Sequence, residues 1–232
     1  MPAAGAGRRF GSDVPKQYAD LHGRFVIEWA LHPFLEDPDC EGLVVALSAQ
    51  DRWWPLVERR WASHWPAARL APGGPERCIS VANALALLAE DQSAAGHDPW
   101  VLVHDAARPC VTSAEIARLR AGGMAARHGA VLAAPLADTL KRAPTAGSRI
   151  AGTVSRAGLW RAQTPQMFRC SALRSALLAA AAAGRQPTDE AQAIEWQGGE
   201  VTLVEGESTN IKVTTAADLL LASAILTARG ES

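Results

Sequence analysis

Short apolar runs at Leu43–Ser48, Trp100–His104, Ala130–Ala134 and Val201–Glu205 alternate with longer stretches of helical spacing. That alternation constrains the fold more than any other feature. A strand covered on both faces reads as a continuous apolar run, and parallel neighbours need a helix-length crossover between them. Helices are expected near Phe25–Glu36, Asp51–Ser63, Glu76–Glu90, Ser113–His128, Ser171–Ala183, Asp189–Gln197 and Ala216–Ala228. The expected fold is therefore α/β, a mostly parallel sheet with helices on both faces.

Local chemistry marks several helix ends. Thr112 with Glu115 and Thr215 with Asp218 have the spacing of reciprocal N-terminal caps. Gly198, Gly199 and Gly230 stand where left-handed helix stops are expected. Pro33 is expected to kink or interrupt the first helix, because it has no N–H to donate. The stretch 137–158 is rich in Thr, Arg, Gly and Pro, and reads as a hairpin arm leaving the sheet or as a long loop. Trp53, Trp54, Trp61 and Trp65 read as a core-facing helical stripe with edge residues.

Bulk properties remove whole classes of function. A net charge of −1 with 20% charged residues leaves no electrostatic footprint for nucleic acid or an anionic membrane. No apolar run reaches the ~20 residues that span a bilayer. The amino terminus lacks the charged and apolar regions of a signal peptide. Cys40, Cys78, Cys110 and Cys170 are widely spaced and read as small hydrophobes in a reducing compartment. The expectation is a cytoplasmic chain of 232 residues in one domain.

Three segments carry candidate chemistry. Gly5-Ala6-Gly7-Arg8-Arg9, followed by Pro15-Lys16-Gln17-Tyr18, offers close backbone approach to phosphate oxygens with cations alongside. It matches neither the dinucleotide fingerprint, since Phe10 replaces the third glycine, nor a P-loop. Asp105 and Arg108 follow the Trp100–His104 run, at a strand end where α/β ligands gather. Read alone, they are more simply a helix cap or a surface ion pair. Lys212, in Asn210-Ile211-Lys212-Val213-Thr214-Thr215, precedes a helix start; read alone it is a solvated lysine.

Taken in order, these segments resemble the 2-C-methyl-D-erythritol 4-phosphate cytidylyltransferase family. The matching residues are Pro2 to Arg9, Pro15 to Tyr18, Gly73-Gly74 with Arg77 and Ser80-Val81, and Val103 to Pro109. Asp138-Thr139 with Lys141, Thr164-Pro165-Gln166, Thr188-Asp189-Glu190-Ala191, Val204-Glu205-Gly206 and Asn210 to Thr214 complete the set across nearly the whole chain. The resemblance implies a Rossmann-like nucleotidyltransferase domain over 1–232, with 137–158 as a β-hairpin dimerisation arm. It also implies transfer of a cytidylyl group from CTP to methylerythritol phosphate, with Mg²⁺ as cofactor and pyrophosphate released.

Residue by residue, the resemblance makes Arg9 and Lys16 transition-state stabilisers, and Lys212 and Arg156 the positioners of the acceptor phosphate. Pro2, Ala3, Ala4, Gly5 and Gly7 would surround CTP, with Gly74, Pro75 and Ser80 at the cytosine. Asp105 would lie near metal and substrate; Arg108, Thr139, Thr164 and Thr188 would complete the polyol phosphate site. In a homodimer, the arm would place Thr139 and Arg156 in the partner's site.

Two departures stand out. The chain begins at Met1-Pro2, where the family carries a first strand inside the sheet. Its absence is expected to leave neighbouring backbone groups unpaired, and the expectation is an upstream start, a valine codon having been read as the initiating methionine. Pro75 stands where relatives have a polar residue, and removes an N–H donor near the base. Ribitol 5-phosphate is the rival acceptor, a sugar-1-phosphate nucleotidyltransferase the rival enzyme, and a truncated inactive binding partner the rival of another class. With few residues after Ala228, the expectation is a chain without the cyclodiphosphate synthase domain fused to some relatives.

Overall fold

The computed structural model describes residues 1–5, 10, 14–61, 68–95, 97–145 and 148–231. The four apolar runs form β3 (Val44–Leu47), β5 (Trp100–Val103), β6 (Ala130–Pro135) and β10 (Thr202–Glu205). Between them come α1 (Val26–Leu35), α2 (Trp54–Trp61), α3 (Arg77–Ala95), α4 (Ser113–Ala125), α5 (Cys170–Ala182), α6 (Glu190–Glu195) and α7 (Ala216–Ala228). Short strands β1 (Asp20–Leu21) and β2 (Arg24–Phe25) form a hairpin, and β4 (Arg69–Pro72) runs parallel to β3. The caps expected at Thr112 and Thr215 are present as reciprocal pairs with Glu115 and Asp218. Gly198 and Gly230 adopt φ of 78° and 75°, as left-handed stops require. Pro33 does not interrupt α1, which continues to Leu35; the proline lies in the last turn, where few downstream bonds depend on the backbone it perturbs.

The sheet departs from the mostly parallel expectation. β9 (Trp160–Arg169) runs antiparallel between β5 and β6 in a four-stranded sheet ordered β10-β6-β9-β5. The sheet is therefore mixed. The parallel β3–β4 pair forms a separate ladder among the described residues. Helices do cover both faces. Val101, Val103 and Phe168 face α3, α5 and α6, whereas Leu102 and Met167 face α4, as the period-2 alternation of a strand dictates. Full burial of each such side chain contributes about 1.5–3 kcal/mol. On β3, α1 and α2 meet Val45 and Leu47, while α3 meets Val44 and Ala46. Trp54 is buried in this core and Trp53 and Trp61 pack at its margin; Trp65 lies outside the described residues.

The amino terminus corrects a second expectation. Residues 1–3 lie alongside β3, with a parallel bridge between Pro2 and Ala46. Ala3 donates to the Ala46 carbonyl at 2.8 Å, and Ala46 donates to that of Met1 at 2.9 Å. Ala46 is thus paired on this edge. In the 137–158 stretch, β7 (Leu140–Arg142) and β8 (Gly152–Val154) form an antiparallel ribbon apart from the main sheet.

Candidate active site

The site assembles where loops after β3, β4 and β5 meet the amino-terminal loop and the segment before α7. Gln17, buried on a 3₁₀ turn at Lys16–Tyr18, donates through Nε2 to the carbonyls of Ala3 (2.7 Å) and Gly5 (3.2 Å). One side chain so fixes the path of the loop. Gly73 closes against it from the other side: a Cβ there would lie 2.2 Å from the Ala4 Cβ and 2.9 Å from the Leu47 carbonyl oxygen. The absence of a side chain permits that approach. Gly74 donates its N–H to Ser80 Oγ at 3.0 Å, holding the turn before α3; Pro75 is exposed at its tip. A cleft of about 190 Å³ lies between Ala3–Gly5, Pro15, Gln17 and the Ser48–Trp53 segment.

Asp105 is the electrostatic centre. Its Oδ1 accepts from Arg77 Nε at 2.9 Å, its Oδ2 lies 2.7 Å from Lys212 Nζ, and Arg108 Nε is 3.9 Å away. Arg77 also forks onto Glu190, Nη1 to Oε1 at 2.6 Å and Nη2 to Oε2 at 2.9 Å. Burial disfavours the Asp105 carboxylate, but the surrounding cations outweigh it and hold the group well below the ordinary carboxylate range. Arg77 is held protonated by the same pairs against its own desolvation. Three cations against two carboxylates leave the cluster positive if all are ionised. Lys212 is its most exposed cation, 39% accessible.

Thr164 and His104 fix the Asp105 backbone. The Asp105 N–H donates to Thr164 Oγ1 at 3.0 Å, and that oxygen is 3.0 Å from His104 Nδ1. Burial pushes the His104 imidazole down to about 3, so it is neutral near pH 7. Its Nε2 faces the Arg108 carbonyl at 3.2 Å, which can only accept; Nε2 therefore carries the proton, and Nδ1 accepts from Thr164. As placed, the Thr164 hydroxyl proton is committed to His104.

Other predicted residues converge on the same place. Arg108 Nη1 donates to the Asn210 carbonyl at 2.7 Å, and Asn210 Nδ2 donates to the Thr164 carbonyl at 3.0 Å. Lys16 Nζ reaches the Val213 carbonyl at 2.9 Å, beside Lys212. Thr188 is exposed, its N–H donating to Gln192 Oε1, two residues before Glu190. Arg9 and Gly7 lie outside the described residues. Thr139 and Arg156 are not brought to the cluster: both are exposed, beside β7 and β8 on the two stems of the ribbon.

Among the described residues no three His, Cys, Asp or Glu side chains gather as a metal site, so a Mg²⁺ ion would rest on Asp105 together with substrate phosphates. That ion is commonly held by one or two carboxylates with substrate phosphates supplying further ligands; Asp105 offers one carboxylate, on the side that Lys212 faces. Sequence reasoning did not place Arg77, Glu190, His104 or Gln17 in the site. Each lies in a quoted motif, but Glu190 also reads as an ordinary first-turn acid of a helix capped by Asp189. A buried pairing across 113 positions leaves no periodic signal.

The family model for 2-C-methyl-D-erythritol 4-phosphate cytidylyltransferase (IspD) matches residues 1–228. A protein of that name from Halorhodospira halophila is 52% identical over 232 residues, covering 99% of this chain and 93% of its own. One from Pseudomonas aeruginosa is 48% identical over 220 residues, covering 95% and 92%. A crystal structure of a 4-diphosphocytidyl-2C-methyl-D-erythritol synthase superposes with a TM-score of 0.81 at 38% identity, covering 97% of this chain and 96% of that one. The Francisella tularensis 2-C-methyl-D-erythritol 4-phosphate cytidylyltransferase gives 0.77 at 32% identity, covering 97% of each.

Proposed function

The chain belongs to the 2-C-methyl-D-erythritol 4-phosphate cytidylyltransferase family, and on that premise we propose that it transfers a cytidylyl group from CTP to 2-C-methyl-D-erythritol 4-phosphate. The products are 4-diphosphocytidyl-2-C-methyl-D-erythritol and pyrophosphate, a step of isoprenoid precursor synthesis. The observation that carries this reading is spatial. The scattered motifs meet one another: Ala4 against Gly73, Arg77 against Asp105 and Glu190, Thr164 against Asp105, Arg108 against Asn210, and Lys16 against Val213.

The acceptor phosphate is already an anion, so the nucleophile needs no general base. Catalysis rests on alignment and on stabilising charge at the α-phosphoryl group. Pro2, Ala3, Ala4, Gly5 and Gly7 surround the nucleotide, with Gly74, Pro75 and Ser80 at its base. Arg9 and Lys16 stabilise the developing negative charge as the α-phosphorus–pyrophosphate bond breaks. Lys212 is swung from Asp105 onto the acceptor phosphate, and Arg108, Thr188 and Thr164 complete that subsite, Thr164 by holding Asp105. Asp105 is the residue that would hold Mg²⁺, which would supply charge neutralisation at the triphosphate oxygens.

Arg156 and Thr139 act in the second subunit of a homodimer. Exposed apolar residues on and beside the ribbon, Ile150, Leu159 and Trp160, support that role. No described helix is long and apolar enough to cross a membrane. The deciding experiment measures pyrophosphate release with Mg²⁺, CTP and methylerythritol phosphate. Parallel reactions substitute ribitol 5-phosphate for the acceptor, or ATP, GTP or UTP for CTP. Release with CTP and methylerythritol phosphate alone is expected; release with ribitol phosphate instead would change the acceptor, and no release from folded protein would overturn the reading.

A further inference from the structure

The fork between Arg77 and Glu190 has no direct part in phosphoryl transfer, yet it is among the most buried ionic contacts of the chain. The Glu190 side chain is 1% exposed, and both its oxygens are taken by Arg77. Arg77 spends its Nε on Asp105. Its two terminal nitrogens and its Nε thus face different carboxylates, a geometry that a planar guanidinium can satisfy and an ammonium cannot. Glu190 is also fixed from its own side. Gln166, buried on β9, accepts the Ala191 N–H at Oε1 (3.0 Å) and donates through Nε2 to Asp189 Oδ2 (3.0 Å).

The connection matters because of what each end carries. Arg77 begins α3, directly after the Gly73–Gly74 turn assigned to the base. Glu190 begins α6, directly after its cap Asp189 and two residues after Thr188, which is assigned to the acceptor side. Asp105 sits between them and holds Lys212 through its other oxygen. From this chain of contacts we infer that Glu190 is a positioning residue for the acceptor subsite: it orients Arg77, which sets the Asp105 carboxylate and so the resting place of Lys212.

This inference rests on the functional reading above and deepens it. Removing the negative charge of Glu190 leaves Arg77 free to turn wholly onto Asp105. The oxygen that faces Lys212 then loses its fixed aim. The acceptor phosphate should suffer first. CTP, which reaches Asp105 only through the metal ion and is otherwise held by backbone groups beside the Gly73–Gly74 turn, should suffer less than the acceptor.

The test is steady-state kinetics of full-length wild type, Glu190→Gln, Glu190→Asp and Arg77→Lys, with melting curves for each. Glu190→Gln should raise the KM for methylerythritol phosphate and lower kcat, together costing about 10–100-fold in kcat/KM for the acceptor. The KM for CTP should stay within about threefold. Glu190→Asp, which restores the charge on a shorter stem, should recover part of the loss. Arg77→Lys should show the same acceptor-specific defect, and serves as the test if Glu190→Gln does not fold. Unchanged acceptor kinetics would overturn the proposal. So would a fall in kcat with both KM values unchanged, the signature of fewer folded molecules. A wild-type chain that releases no pyrophosphate would instead bring down the functional reading itself, so the two failures are distinguishable.

Discussion

The Asp105 cluster and the β7–β8 ribbon both carry residues assigned to the acceptor phosphate, in opposite physical circumstances. In the cluster, Asp105 and Glu190 are nearly inaccessible and bonded on every side by partners of this same chain. On the ribbon, Thr139 and Arg156 stand in solvent, and the nearby cross-strand side-chain bond, Lys141 Nζ to Thr153 Oγ1 at 2.7 Å, only ties the ribbon to itself. A buried charge must find its partners within the fold, because leaving it unpaired costs several kcal/mol. A surface arginine has no such requirement and can wait for a second subunit. On the proposed reading, the difference separates machinery preorganised by folding from machinery that a second subunit would complete.

Four experiments sharpen or break that contrast. The largest effect is expected on the amino-terminal cations. Lys16→Ala and Arg9→Ala should each lower kcat by about 10²–10³-fold, or about 3–4 kcal/mol of transition-state stabilisation, in protein that folds normally. Near-normal turnover in either would remove it from its role.

Next comes the ribbon. Arg156→Ala and Lys212→Ala should each be severely impaired as homodimers. If Arg156 serves the partner's site, mixing and reassembling the two variants should recover about a quarter of wild-type activity, since half the dimers would hold one intact site of two. No recovery in a verified heterodimer would place both residues in one subunit's site and erase the contrast.

Gly73→Ala tests the close packing of the nucleotide loop. The added Cβ would overlap Ala4 and press on the Leu47 carbonyl, at a cost of about 1–3 kcal/mol in stability. The KM for CTP should rise while that for the acceptor holds. A variant as stable as wild type would show that the loop relaxes freely.

The smallest effect is in pH dependence. Burial lowers the His104 imidazole to about 3 from its unfolded value near 6.5. The unfolded chain therefore binds the extra proton first. Stability from this group is full above about pH 6.5 and is lost progressively as pH falls toward 3, by about 2 kcal/mol at pH 5. Urea unfolding at pH 7.5 and pH 5 should show a steeper loss for wild type than for His104→Gln. Equal slopes would mean that His104 is not held neutral by the fold.

Legibility in the sequence followed the range of the interaction. The apolar runs that became β3, β5 and β6 were readable because burial on both faces removes polar residues from a strand, whereas β10 lies largely exposed at the sheet edge. β9 was not. Its Gln163, Thr164 and Gln166 are polar and carry a proline between them, yet all three are buried and hydrogen-bonded to other segments. A strand whose polar side chains find their hydrogen-bond partners far along the chain looks like a loop until those partners are in place. The same cause hid Glu190 and His104.

What the sequence by itself determined is the order of the seven described α-helices and of four strands, the caps at Thr112 and Thr215, and the ordered motifs that mark the family. These depend on neighbours within a few positions, where periodicity and capping act. Tertiary structure alone decided that β9 runs antiparallel through the sheet, that residues 1–3 pair beside β3, and that Arg77 bridges Asp105 and Glu190. Those outcomes join residues as far apart as Arg77 and Glu190, 113 positions distant. Side chains so separated meet only after the backbone between them has folded, and desolvation then selects which charges and amides are allowed to remain together.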